Sequence, residues 1–509
     1  MMNTSLSAGL LFSQQARQKR HQTAIEFRGS KWSYGDINDL SNRMARWLHS
    51  RGVARGGRIA ILSLNSPQYA AVQLAAAKIG AIVACLNWRQ AHAELEHCVR
   101  LAAAELIITD ESLHEAGKRL ASTCGVEQVD LNSEFDAQLK QFEPSDLLNL
   151  ESVNGEDIWL VLYTSGTTGW PKGAAISHRA MLSRASISAI DGGIFPDAPS
   201  IVWAPMFHMS GTDNVQSALL LGGTVILLEK YDAAELVRIA ADRQIGVLPL
   251  MPATITPFIS ELKALGRSIN PPRRIGSMPD LISPDEIAEV TRLTGAPFRN
   301  TFGSTETGHA PASRGIIPIG TIPKNFAKTQ SSMCAVRLID SEGNEARDGE
   351  AGEVAIRGPS LFSGYISGTN IDASMLDDGW YLMGDVMIRN SDGTLDYVDR
   401  KKYLIKSGGE NIYPAEIERV LLLSPRIQDA VVVKAPSQKW GETPVAFVVR
   451  RDPSLTVEDV LAMFDGVLAN YKHPRWAFFV EDSELPRNTT GKIQRHHLEN
   501  HHALRAVDF

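Results

Sequence analysis

The densest chemistry in the chain lies in the stretch Leu162-Tyr-Thr-Ser-Gly-Thr-Thr-Gly-Trp-Pro-Lys-Gly173. Gly166, Gly169 and Gly173 let the backbone turn sharply and come close to a ligand. Thr164, Ser165, Thr167 and Thr168 offer hydroxyls, successive backbone N–H groups can form an anion nest, and Lys172 adds positive charge. The apolar run Ile158 to Leu162 precedes these residues, so the loop leaves the end of a strand. Together they read as a polyphosphate cradle rather than an ordinary surface loop. It is not a Walker-type P-loop, in which Lys follows the last Gly directly; here Trp170 and Pro171 intervene. His496, His497, His501 and His502 also cluster, near the C-terminus, and read as a solvated helix end rather than a metal site.

The elements around that loop follow from periodicity. Tyr34 to Arg51 and Pro67 to Ile79 have helical spacing, while Arg58 to Ser63, Ala81 to Leu86 and Glu105 to Thr109 are short apolar runs expected as strands. Ile201–Ala204 and Gly223–Leu228 repeat the pattern with a helix between them. Such alternation predicts an α/β fold with a largely parallel sheet. From about residue 333 short turn-rich segments (Cys334–Ile339, Glu353–Arg357, Gly393–Val398) predict a small β subdomain. After residues 399–402 the texture changes to α+β: helices at Ala415–Leu423 and Val457–Asn470, strands at Ile427–Lys434, Val445–Arg450 and Ala477–Val480. The expected organisation is an N-terminal body over 1–399, a hinge at 400–402 and a small mobile α+β cap over 403–509. A length of 509 residues suits about three to four domains or subdomains. The net charge of −7 argues against a protein that coats nucleic acid. A composition of 44% hydrophobic and 21% charged residues excludes a largely disordered or collagen-like chain. Four cysteines without a CxxC pair suit a reducing, cytoplasmic setting, and no segment reads as membrane-spanning.

The loop resembles the signature of the adenylate-forming acyl-CoA synthetases, a family that includes the firefly luciferases and the adenylation domains of peptide synthetases. Further motifs match in order from about Trp32 to Leu498. The resemblance implies a nucleotide site of Thr164, Ser165, Gly166, Thr167, Thr168 and Lys172, with Phe302 stacking on adenine beside Gly303 and Thr305 meeting the α-phosphate. It places Mg²⁺ on Glu306 and Thr164, the ribose hydroxyls on Asp385, a second ribose or phosphate contact on Arg400, and the adenylation lysine at Lys492. Lys402 falls at the hinge position. Gly408 and Gly409 would pass a pantetheine arm, and Trp440, Lys472, Arg475 and Arg89 fall where CoA is met. The acyl pocket would draw on a gating His208 with Ser210, Gly211, Asn214, Ser277, Met278, Thr301, Gly303, Gly308 and His309. Phe302, Met383, Met278 and Asp280 depart from the family pattern, which more often has Tyr, Thr and a run of small residues there.

The implied activity uses ATP, Mg²⁺ and coenzyme A: a carboxylic acid is activated as acyl-AMP with release of pyrophosphate, then passed to CoA. Loading of a separate carrier protein, a non-catalytic acyl- or nucleotide-binding protein and, more distantly, a luciferase-like oxidase are the competing readings. A homodimer is left open. The windows 208–214, 277–282 and 301–309 contain no Arg or Lys, so the expected acid has no second carboxylate and is an apolar medium-length, aromatic or polycyclic one.

Overall fold

The computed structural model describes residues 6–147, 152–165, 170–280, 282–408, 410–487, 493–501 and 504, without the side chain of Ser165. Packing divides the chain into two compact units, residues 1–336 with 356–381, and residues 337–355 with 382–509. The hinge expected at 400–402 lies inside the second unit.

Local sequence dictates where elements of the first unit begin and end. Ser33 caps the helix Tyr34–Ser50 through a capping box with Asp36. Ser66 accepts from Tyr69 N to start the helix Pro67–Ile79, Pro67 fills its first turn, and Gly80 stops it at a left-handed φ of 71°. The strand Ile82–Cys85 follows at once and pairs in parallel with both Arg58–Leu62 and Ile158–Ser165.

Two eight-stranded sheets result, each with a parallel centre; the first is antiparallel at one edge only and the second at both. One runs in the order Asn370–Asp372, Tyr365–Ser367, Pro171–Ser177, Ile158–Ser165, Ile82–Cys85, Arg58–Leu62, Leu106–Asp110, Glu127–Leu131. The other runs Gly308–Ile317, Phe298–Ser304, Arg274–Ile275, Val247–Leu248, Ser200–Val202, Val225–Leu227, Thr23–Phe27, Ser30–Ser33. The first is packed through Ile107, Leu120 and Val161, the second through Phe258, Ile275 and Phe298, all fully buried. Burial on both faces explains why these strands read as apolar runs rather than alternating ones.

In the second unit the strands Ile427–Ser437 and Gly441–Arg450 form a hairpin, and the free edge of Gly441–Arg450 is joined in parallel by Trp476–Phe479 and, at its Gly441 end, by Ile405–Ser407 with Glu410–Ile412. The helix Pro414–Leu422 packs on this sheet. The helix expected over Val457–Asn470 is shorter, Val457–Ala462. Gly466, at φ 72°, lies where no helix can continue.

Candidate active site

The strands on either side of the phosphate loop form an antiparallel pair. The strand Ile158–Ser165 runs three residues past Leu162 and pairs antiparallel with Pro171–Ser177, which puts Thr164 opposite Lys172. Residues Gly166, Thr167, Thr168 and Gly169 lie outside the described residues. The exposed Lys172 has its Nζ 5.3 Å above the ring of Tyr365. The Tyr365 hydroxyl donates to Glu306 Oε1 at 2.7 Å and lies 3.3 Å from the Tyr381 hydroxyl. Burial and the neighbouring Glu306 hold the Tyr365 phenol far above its ordinary pKa, so it remains a donor. Glu306 and Thr305 form the buried turn between the strands Phe298–Ser304 and Gly308–Ile317, and Glu306 O accepts from Phe362 N at 2.8 Å. Tyr365 belongs to no motif read from the sequence; sheet pairing of Tyr365 with Ala174 carries it to the phosphate side.

A hard cation suits this corner. Tyr365 engages one oxygen of the Glu306 carboxylate, and among the described residues nothing else is bonded to that carboxylate. One carboxylate and a hydroxyl such as that of Thr164 are what Mg²⁺ needs when a nucleotide supplies the remaining oxygens. No group of three or more His, Cys, Asp or Glu among the described residues is arranged to hold a metal by itself. His502 lies outside the described residues.

On the base side, Phe302 is 6% exposed. The 276–280 segment runs across its strand: Ser277 Oγ lies 3.3 Å from Thr301 Oγ1, and Met278 N donates to the same hydroxyl at 3.3 Å. The unusual Asp280 has a partner that the motifs do not reveal. Lys328, fully buried, donates to Asp280 Oδ2 at 2.7 Å and to Asn300 Oδ1 at 2.8 Å.

On the acyl side, His208 caps the helix Met209–Leu220, with Nδ1 accepting from Ser210 N and 2.7 Å from Ser210 Oγ. Asn214 Nδ2 donates to Ser210 O at 2.7 Å. Gly211 has no room for a side chain, since a Cβ there would meet Pro205 O at 2.2 Å. Gly303 is equally constrained, 2.0 Å from Gly308 O. The Arg89 guanidinium stacks 4.8 Å from Trp88 and 6.0 Å from Phe207, next to His208.

The windows 208–214 and 301–309, which contain no Arg or Lys of their own, are met by an arginine from elsewhere in the chain. Arg184, from the helix His178–Ile190, pairs with Asp213 at 3.2 Å and donates to Thr305 O at 2.9 Å; its stem packs against Gly308. Both side chains are 1% exposed. Arg299 is buried as well, and among the described residues its Nε and Nη2 have no hydrogen-bond partner. Burial, then Arg299 and Arg184, push the His309 imidazole down to about 3, so it is neutral.

The second unit holds the remaining candidates. Asp385 is fully buried and forms an ion pair with Arg400 at 2.8 Å across the hairpin Trp380–Arg389 with Leu395–Arg400, though not an aligned hydrogen bond. Lys402, exposed, lies 4.9 Å from the Tyr403 ring. Gly408 and Trp440 come together: Gly408 N donates to Trp440 O at 2.8 Å, and at φ 60° a Cβ would sit 2.7 Å from the indole. Lys472 is paired with Glu416 at 2.6 Å, while Arg475 is exposed. Gly409 and Lys492 lie outside the described residues. Arg487 and Ile493 pair in an isolated bridge, and Arg495 grips Glu418 with two 2.6 Å contacts.

Residues 12–366 match the family model of the AMP-binding enzyme, and residues 416–492 match that of the AMP-binding enzyme C-terminal domain. The indoleacetate–CoA ligase of Aromatoleum aromaticum is 31% identical, over 93% of this chain and 94% of that protein. A feruloyl-CoA synthase of an Amycolatopsis species is also 31% identical, over 94% and 95%. The crystal structure of ATP-bound MatB from Rhodopseudomonas palustris superposes with a TM-score of 0.84 at 27% identity, covering 97% of this chain and 99% of that one.

Proposed function

The chain belongs to the AMP-binding enzyme family, and from that premise we propose that it is an AMP-forming acyl- or aryl-CoA ligase. A carboxylate is a poor electrophile because its own charge repels nucleophiles. Joined to AMP it becomes a mixed anhydride with a good leaving group. In the first half-reaction the acid attacks the α-phosphorus of ATP and pyrophosphate leaves. In the second, the CoA thiol attacks the acyl carbon and AMP leaves.

The observation that carries this reading is the Lys172–Tyr365–Glu306 corner at the mouth of the phosphate hairpin. Lys172, Thr164, Ser165 and the 166–168 backbone would hold the phosphates in line, and Lys492 would offset charge on the α-phosphate. Glu306 and Thr164 would hold Mg²⁺ together with nucleotide oxygens, and the chemistry it supplies is neutralisation of phosphate charge. Phe302 would stack the base, Asp385 and Arg400 would take the ribose, and His208, oriented by Ser210, would border the acid. Gly408 and Gly409 with Trp440, Lys472, Arg475 and Arg89 would serve CoA. A turn at Lys402 would present Lys492 for the first step and Gly409 for the second. Lys402→Pro should then keep pyrophosphate release and damage thioester formation; equal loss of both removes the alternation.

An aromatic acid is the proposed substrate, as the indoleacetate and feruloyl relatives suggest. A cytoplasmic setting accompanies it, in keeping with four free cysteines. The test is pyrophosphate release over a panel of acids, with CoA present and absent, followed by detection of the thioester. Aromatic dicarboxylates belong in the panel, because two nitrogens of Arg299 have no hydrogen-bond partner among the described residues. No release with any acid would sink the ligase reading; release with a thioester formed only on a carrier protein would change the acceptor.

A further inference from the structure

Lys328 is a fully buried lysine outside every motif, and its ammonium is committed to Asp280 at 2.7 Å and Asn300 at 2.8 Å. Replacing a buried ion pair by apolar side chains of similar volume is often neutral or stabilising, so stability alone is a weak reason for one to be here. Its location supplies a better one. The ammonium lies 6.0 Å from the centroid of Phe302, and the 276–280 segment that carries Asp280 is tied to the same strand through Thr301. The Asn300 amide is used up, with Oδ1 taken by Lys328 and Nδ2 donating to the carbonyls of Phe326 and Ala327. Asp280 differs. Its side chain is 17% exposed, and among the described residues Oδ1 has no hydrogen-bond partner.

We propose that Asp280 reads the exocyclic amino group of adenine, and that Lys328 is the positioning residue that keeps its carboxylate aimed at the base. The inference rests on the ligase reading, in which Phe302 carries the base. A carboxylate oxygen accepts only, so it pairs with the N6 amino group of adenine and repels the O6 carbonyl of hypoxanthine or guanine. Lys328 holds Oδ2, which leaves Oδ1 for the base. Where the family resemblance expects small residues that merely let a base lie flat, this chain has a charged acceptor fixed from behind.

The test is titration of the full-length protein with ATP, ITP and purine riboside triphosphate, the last lacking the amino group. Wild-type protein should prefer ATP over both by about tenfold or more, the discrimination available to a hydrogen bond with a charged group. In the double variant Asp280→Leu with Lys328→Met, which exchanges the pair for apolar side chains, the preference should collapse toward unity, while Lys328→Arg should keep most of it. A purely structural pair would change thermal stability and leave the nucleotide ratio as it was, and that result overturns the proposal. Should the double variant not fold, the wild-type protein still decides: equal affinity for ATP and either analogue overturns base reading and leaves the ligase reading standing. Binding of none of the three nucleotides removes both.

Discussion

The regions of the first unit proposed for the acid and for the nucleotide both bury charge, in opposite ways. Arg184 and Asp213 are each 1% exposed and spend themselves on one another, with Arg184 also stitching Thr305 and Ser360 carbonyls. In the region proposed for the nucleotide, Lys328 holds one oxygen of Asp280 and Tyr365 holds one oxygen of Glu306, and among the described residues the second oxygen of each carboxylate has no hydrogen-bond partner. A closed pair is architecture; a half-held carboxylate is an oriented acceptor. Variants on the acyl side should therefore register in stability, and variants on the nucleotide side in rate or selectivity.

The largest effect is expected for Arg184→Met. It strands a buried Asp213 carboxylate and should cost about 3–5 kcal/mol in denaturant unfolding, with Arg184→Met plus Asp213→Leu recovering much of the loss. A small cost in the single variant would break the contrast. Next comes Glu306→Gln, which should lower pyrophosphate release by roughly 100-fold or more with little change in unfolding midpoint. A large drop in stability with a small drop in rate would move Glu306 to the architectural side. Tyr365→Phe removes one donor from Glu306 and should cost about tenfold in the same assay, in keeping with loss of one hydrogen bond to a charged group.

The smallest effect is a pH dependence. Folded His309 stays neutral down to about 3, whereas its ordinary value is 6.5. Between those values the unfolded chain binds the additional proton, so stability falls as pH drops from 6.5 towards 3. The slope from this group is at most about 1.4 kcal/mol per pH unit. His178, buried against Trp159 and pushed down to about 4, acts in the same direction. Unfolding of His309→Phe followed from pH 7 to 5 should show a flatter acid limb than wild type; an unchanged limb would detach His309 from the buried guanidinium cluster.

Much of this was legible before folding. Proline, serine and glycine punctuation set the ends of Pro67–Ile79 within the sequence itself, because caps are local chemistry. The strands near the phosphate loop are continuous apolar runs, and their type follows from burial on both faces. The helix beginning at Val457 was overextended because apolar spacing continues past Gly466, where the backbone turns.

What the linear order could not show is which distant residues complete each site. Tyr365 reaches Glu306 across 59 residues, Lys328 reaches Asp280 across 48 and Arg184 reaches Asp213 across 29. No periodicity encodes those meetings; sheet order and helix packing make them. The sequence by itself determined the α/β architecture, since local propensity and short-range spacing suffice for it, and its motifs carry the family resemblance that implies the chemistry. Only the tertiary structure decided which buried charges neutralise each other and which are held half-open toward a ligand. That distinction depends on the geometry of partners far apart in the chain and on the low dielectric that makes an unpaired charge costly.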